Sequence, residues 1–187
     1  MSSEQTREAL TAVAAQLSED GGLLAEALVA NDAVTLPDDD PALGSLAAAG
    51  PLSEGREPQI AAVVESVYEG FLLHGGSSRI LDSSDQDLNI LAGDRLYAYG
   101  LAQLAELGDL ASVRELADVI AICAQARALN DPALAAAAWQ LGASSIGWGQ
   151  SPQGDAAKAA VANDHSAAAA ALSEAARIVR NDCAPSS

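Results

Sequence analysis

Residues 87–109, DLNILAGDRLYAYGLAQLAELGD, limit the possible folds more than any other stretch of the chain. Leu88, Leu91, Arg95, Ala98, Leu101, Ala102 and Ala105 recur at i, i+3, i+4 and i+7, the spacing of one helical face. Leu96, Tyr97, Leu104 and Leu107 make a second apolar stripe beside it. A helix that is apolar around most of its circumference is a buried one, so this stretch is expected at the centre of an all-α bundle. Gly93-Asp94 should interrupt or bend it, because an interior glycine costs about 1 kcal/mol against alanine. Asp94 then falls on the buried face or its margin, where a carboxylate needs a hydrogen-bonding partner. Gly93 and Asp94 are therefore expected to be structural residues, with Asp94 bridging neighbouring helices. Gly108 suits a helix C-terminus, and Asp109 can cap the helix that follows.

The rest of the chain reads as helices around that one. Residues 4–18 should form a helix with Leu10, Val13, Ala14 and Leu17 inward, and Leu23 to Ala30 a second. Asp40 should cap a helix that starts at Pro41 and runs to Ala49. Ile60, Val63, Val64, Val67, Tyr68 and Phe71 mark one face of a helix over 57–73. Asp85 or Ser84 should cap the organising helix. After Asp109, Val113, Leu116, Ala117, Ile120, Cys123 and Ala124 should point inward. Asp131-Pro132 opens another helix, with Leu134, Ala138 and Leu141 inward and Trp139 on its flank. Residues 147–154 read as a loop, and one last helix spans 155–180. Alanine is abundant and aromatic residues are 3% of the chain, which favours close helix–helix approaches. At 187 residues this makes a single helical domain, with a variable segment at 1–40 and a disordered tail at 181–187.

Charge excludes some functions. The formal net charge is −17, from 26 acids against nine Lys and Arg residues. Nucleic acids and anionic membranes both need cationic patches, so neither is an expected partner. No run of 18 apolar residues predicts membrane insertion, and no apolar leader follows the N-terminus. A cytoplasmic protein is expected. Cys123 and Cys183 make neither a disulfide framework nor a metal motif. Asp38-Asp39-Asp40 reads as a solvated loop with a cap, His74 as the end of a helix, and His165 as exposed. Glu65 and Glu69 read as the polar edge of their helix rather than as a carboxylate pair. Trp139 and Trp148 read as core or interface anchors. The residues point to no catalytic, cofactor-binding or metal-binding group, and no cofactor is expected.

The order of segments carries a resemblance. VVESVYEGFLLH followed by NILAGDRLYAYGLAQLAELGD resembles the trans-isoprenyl diphosphate synthase family. In that family a helix ending Leu-Leu-His leads into an Asp-Asp-x-x-Asp motif. A later helix carries Leu-x-Gly-Asp-x-Leu, matched here by Leu91, Gly93, Asp94 and Leu96. A Leu-Ala-x-Leu-Gly-Asp segment matches 104–109, and AAWQLGASSIGWG at 137–149 is similar to the family's Leu-Gly-Ala-rich segment. The likeness covers roughly 40–180. It implies an isoprenoid-synthase-like helical bundle, reduced in size.

The departures fall where the family handles diphosphate. The first aspartate motif should follow His74, and Gly75, Gly76 and Arg79 stand at its three acidic positions. Glycine supplies no ligand to Mg²⁺, and arginine reverses the charge. Asp38, Asp39 and Asp40 stand where a basic motif should grip the second diphosphate. Asp131-Pro132 replaces a Lys-Thr pair, and Glu174 is the only acid near the second aspartate motif. His74, Gly75, Gly76 and Arg79 thus read as a vestigial motif in a catalytically silent relative. The resemblance implies a non-catalytic partner subunit, a homodimer or a heteromer with a catalytic prenyl diphosphate synthase. An apolar small-molecule binding protein, with its ligand between the helices at 57–73 and 87–107, and a homodimeric interaction protein are the alternatives.

Overall fold

The computed structural model describes residues 2–30, 34, 36–162 and 165–182. Its helices are α1 (Ser2–Asp20), α2 (Gly22–Glu26), α3 (Leu43–Ala48), α4 (Glu57–His74), α5 (Gln86–Glu106), α6 (Leu110–Leu129), α7 (Pro132–Trp148), α8 (Pro152–Val161) and α9 (His165–Asp182), with a 3-10 turn at Pro51–Ser53. The fold is all-α. Among the described residues the only β-pairing is an isolated antiparallel bridge between Leu28 and Leu81.

Asp85 accepts from the backbone N–H groups of Asp87 and Leu88, Asp109 from Ser112, and Asp131 from Leu134. Each carboxylate satisfies donors that a helix start leaves unpaired. Gly108 takes a left-handed φ of 72° just past α5, as a C-terminal glycine should.

Two helices hold the centre. α4 packs on α1, α3, α5 and α6; α7 packs on α3, α6 and α9; α3 touches both. The larger core joins Val63, Val64 and Val67 of α4 to Leu116 and Val119 of α6 and Leu134, Trp139 and Leu141 of α7. A smaller one sets Leu10, Val13 and Leu17 of α1 against Leu73, Ile80 and Leu96. Among the described residues no helix is long and apolar enough to cross a membrane.

The organising helix is not where its apolar pattern puts it. α5 lies at the surface and packs mainly on α4. Leu91 is 58% exposed, and Arg95, Ala98, Ala102 and Ala105 are exposed with it. The buried face is Asn89, Ala92, Gly93, Leu96, Gly100 and Leu104. Glycines account for the difference. A Cβ on Gly93 would collide with the His74 ring, one on Gly100 would come 2.5 Å from Val67 Cγ2, and one on Gly70 of α4 would come 2.7 Å from Tyr97 Cδ1. The backbones of α4 and α5 approach where side chains are missing, and a count of apolar side chains cannot see that face. Gly93 therefore acts as a packing residue, and the helix runs unbroken through it.

Other expectations need correcting. Chain 27–29 leaves the helical path because Val29 N–H donates to Ile80 O and Asp82 N–H to Ala27 O, each at 2.9 Å. α3 starts at Leu43, since Ala42 takes a left-handed φ of 46°, and Asp40 does not cap it. On α6, Ala117 and Ala124 face solvent, while Glu115, Val119, Ile122 and Ala126 face the core. Trp139 is buried rather than on a flank. α7 continues to Trp148, Ser151 caps α8, and α8 and α9 stand in place of one last helix. α9 extends to Asp182, so 181 and 182 are helical. Cys183, the rest of the tail and the His165 side chain lie outside what the structure describes.

Candidate functional site

The most concentrated chemistry surrounds Arg79, in the loop between α4 and α5. Arg79 Nε donates to Glu69 Oε2 at 2.8 Å, and Nη1 donates to Asp40 Oδ2 at 2.9 Å. Nη2 stands 2.8 Å from Glu65 Oε2, off the line of a hydrogen bond. Glu69 Oε1 also accepts from the Arg79 backbone N–H and the Ser78 hydroxyl. Glu65 Oε1 accepts from Gly44 N–H, and Asp40 Oδ1 from Ala42 N–H. Glu65 and Glu69 are wholly buried, and Arg79 nearly so. The i, i+4 glutamates are thus a buried carboxylate pair and not a polar edge. The guanidinium also lies 5.0 Å over the Tyr68 ring.

Three carboxylates around one guanidinium leave excess negative charge in a dry setting. Burial pushes the Glu65 carboxyl up, and Arg79 and Gly44 N–H offset this only in part. Burial works against the charge of Arg79, but Glu65, Glu69 and Asp40 outweigh it and its pKa is raised. The cluster works as a latch. It ties the loop after α4 and the segment before α3 to one face of α4.

Beside the latch runs an apolar cleft between α4 and the α6–α7 pair. A cavity of about 210 Å³ lies among Pro41, Leu43, Tyr68, Phe71, Ala135 and Trp139. It shares Phe71, Pro132 and Ala135 with a more open cavity of about 400 Å³ that reaches Cys123 and Arg127. Tyr68 and Pro41 also line a third, of about 220 Å³, against Arg79. Tyr68 meets Trp139 edge-on at 5.0 Å and stacks on Phe71 at 6.0 Å. Arg127 donates to Phe71 O at 3.0 Å and sits 5.4 Å over that ring. Burial pushes the Cys123 thiol up to about 12, so it is no nucleophile near neutral pH. The cleft is not between α4 and α5, where the small-molecule alternative would place its ligand. The glycine contacts close that interface.

The other expected residues disperse. Asp94 is exposed rather than buried, with its side chain at 66%, but it does reach across to a neighbouring helix. Its Oδ1 lies 3.1 Å from Nε2 of His74, the last residue of α4, whose ring packs against Tyr97. Gly75 caps α4 and Gly76 turns the chain at φ 80°. Of His74, Gly75, Gly76 and Arg79, only Arg79 joins the latch. Sequence reasoning also missed Glu115 on α6. It is buried, and its Oε2 accepts from Lys158 Nζ at 2.7 Å and from Gln150 Nε2 at 3.3 Å. A lone lysine in so acidic a chain was the available signal. Among the described residues no group of three or more His, Cys, Asp or Glu side chains is placed to hold a metal ion.

No family model, no curated protein and no solved structure matches the chain.

Proposed function

We propose that the chain is a catalytically silent, isoprenoid-synthase-like protein that acts as a non-catalytic partner subunit of a prenyl diphosphate synthase. The saturation of Arg79 supports this most. The position at which the resemblance asks for a metal-binding aspartate holds a guanidinium already committed to Asp40, Glu65 and Glu69. Its charge is not free for a diphosphate. The outward face of α5, with Leu91, Ala98, Ala102 and Ala105 exposed, offers a partner helix a close approach. The experiment is co-expression with a catalytic prenyl diphosphate synthase from the same cell, followed by size-exclusion chromatography with light scattering and a radiolabelled condensation assay. A stable heteromer with changed activity or product length is the expected result. Condensation by the isolated chain, or no complex and no effect on activity, would overturn the reading.

A second reading rests on the aromatic wall of Tyr68, Phe71 and Trp139. The cleft they line suits an uncharged apolar ligand. N-phenyl-1-naphthylamine should then brighten on binding, and Ala135→Phe, which fills the shared wall, should abolish the signal. No fluorescence change with the wild-type protein would refute it.

A further inference from the structure

The open cavity of about 400 Å³ brings a cation and an aromatic ring to one wall. Arg127 and Phe71 both line it. The guanidinium itself belongs to that wall, and not only the stem of the side chain. Its centre lies 5.4 Å over the Phe71 ring. Its Nη2 would be 3.6 Å from a Cβ placed on Gly75, which is another wall residue. Arg127 is exposed, so a ligand can reach it. A guanidinium has five N–H donors, and the one hydrogen bond here goes to Phe71 O at 3.0 Å. Among the described residues no carboxylate pairs with Arg127. Arg79, Lys158 and Arg177 differ, since each holds at least one acid. A place in the last turn of α6 suits a cation, which accounts for the charge but not for the cavity beside it.

The adjoining chamber adds an independent observation. Phe71, Pro132 and Ala135 are walls of both cavities, and the chamber of about 210 Å³ is otherwise aromatic and apolar. A cation without an acid and an aromatic chamber thus meet at one ring. They ask for a ligand with an anionic end and an apolar end. The chamber is smaller than the roughly 300–1,000 Å³ of a usual ligand pocket, so the apolar end is short. Asp131 also lines the open cavity, with its Oδ1 accepting from Leu134 N–H. A second negative charge on the ligand would meet that carboxylate, so a monoanion fits best. The remaining acids of the chain weigh little, because charges more than about 8 Å away are largely screened at physiological salt.

We propose that the two adjoining cavities bind a small amphipathic monocarboxylate, with its carboxylate on Arg127 and its short apolar body against Tyr68, Phe71 and Trp139. The planar fork of a guanidinium matches a carboxylate through two parallel hydrogen bonds. The inference rests on the second reading above, in which the aromatic chamber holds an uncharged apolar body. It adds the charged group that body carries outside the chamber.

The test uses the whole chain, with N-phenyl-1-naphthylamine as reporter and octanoate and octanamide as competitors. The two competitors share a chain and differ in charge. Octanoate should displace the reporter about tenfold more effectively, as a hydrogen bond to a charged group predicts. Arg127→Gln should weaken octanoate by about tenfold and leave octanamide within about twofold. Arg127→Lys keeps the charge and should keep octanoate ahead. Calorimetric titration of octanoate into each protein checks the same constants without the reporter. Equal displacement by the two competitors, a preference that survives Arg127→Gln, or its absence from Arg127→Lys would overturn this inference and leave the apolar chamber standing. A wild-type protein that does not brighten the reporter would overturn both.

Discussion

Replacing Arg79 with methionine tests the latch directly. Arg79→Met keeps most of the stem and removes the charge. Glu65 and Glu69, each 0% exposed, would then face each other and Asp40 with no cation among them. Removing one side of a buried ion pair costs about 3–5 kcal/mol. A domain of ordinary stability has about 5–15 kcal/mol in total. For a chain of this length each kcal/mol moves the midpoint by about 2–4 °C, so a fall of roughly 6–20 °C is expected. Circular dichroism against temperature and against urea measures it. The stranded carboxylates should bind protons more readily in the fold than in the unfolded chain. Their folded pKa values then lie above the unfolded ones, so the variant recovers stability as pH falls and loses it as pH rises. Adding Glu65→Gln and Glu69→Gln to Arg79→Met should restore much of the loss at neutral pH, since the excess charge is gone. A loss below about 1 kcal/mol, the level of an exposed ion pair, would refute the reasoning. So would a triple variant no more stable than Arg79→Met alone.

Three further outcomes are expected. Burial holds the phenols of Tyr68 and Tyr97 up to about 12. Their contribution to stability is complete below the unfolded pKa of about 10 and disappears as pH rises through about 12. A tyrosinate absorbance titration should therefore show most phenol ionisation coinciding with alkaline unfolding, and ionisation near pH 10 in a folded chain would contradict it. Cys123 should resist iodoacetamide in the native protein and react after urea unfolding, with mass spectrometry locating the label; rapid native labelling at Cys123 would count against its burial. Gly93→Ala should cost about 1–3 kcal/mol, because the added methyl strikes the His74 ring. Asp94→Asn, one residue on, should stay within about 0.5 kcal/mol, because the side chain is exposed. A reversed order of those two variants in thermal melts would reject the packing described for α5.

Helix starts were legible because their chemistry is local. Asp85, Asp109 and Asp131 each bond an N–H two or three residues away, and a reader of the sequence can count that far. The α4 stripe was legible for a similar reason, as Ile60, Val63, Val64 and Val67 are core by side chain alone. The α5 face was not, because its contacts are made by glycines that carry no hydrophobic signal. The latch was illegible in a different way. Asp40, Glu65, Glu69 and Arg79 are spread over about forty positions, and a spacing rule treats each as a surface charge. The His74–Gly93 contact joins two segments that the resemblance picked out, but for packing rather than for metal.

The commitment of Lys158 inside the fold has a practical consequence. It is the only lysine in the 187 residues, and its side chain is 12% exposed. Burial opposes its charge, but Glu115 and Asp118 outweigh that and raise its pKa, which disfavours the neutral amine that acylating agents need. Amine-directed dyes, cross-linkers and resins should leave this side chain alone while the bundle stays closed. Its acylation would then serve as a clock for opening of the α6–α8 contact, and the rate of that reaction would report a motion that an alanine-rich helix otherwise hides.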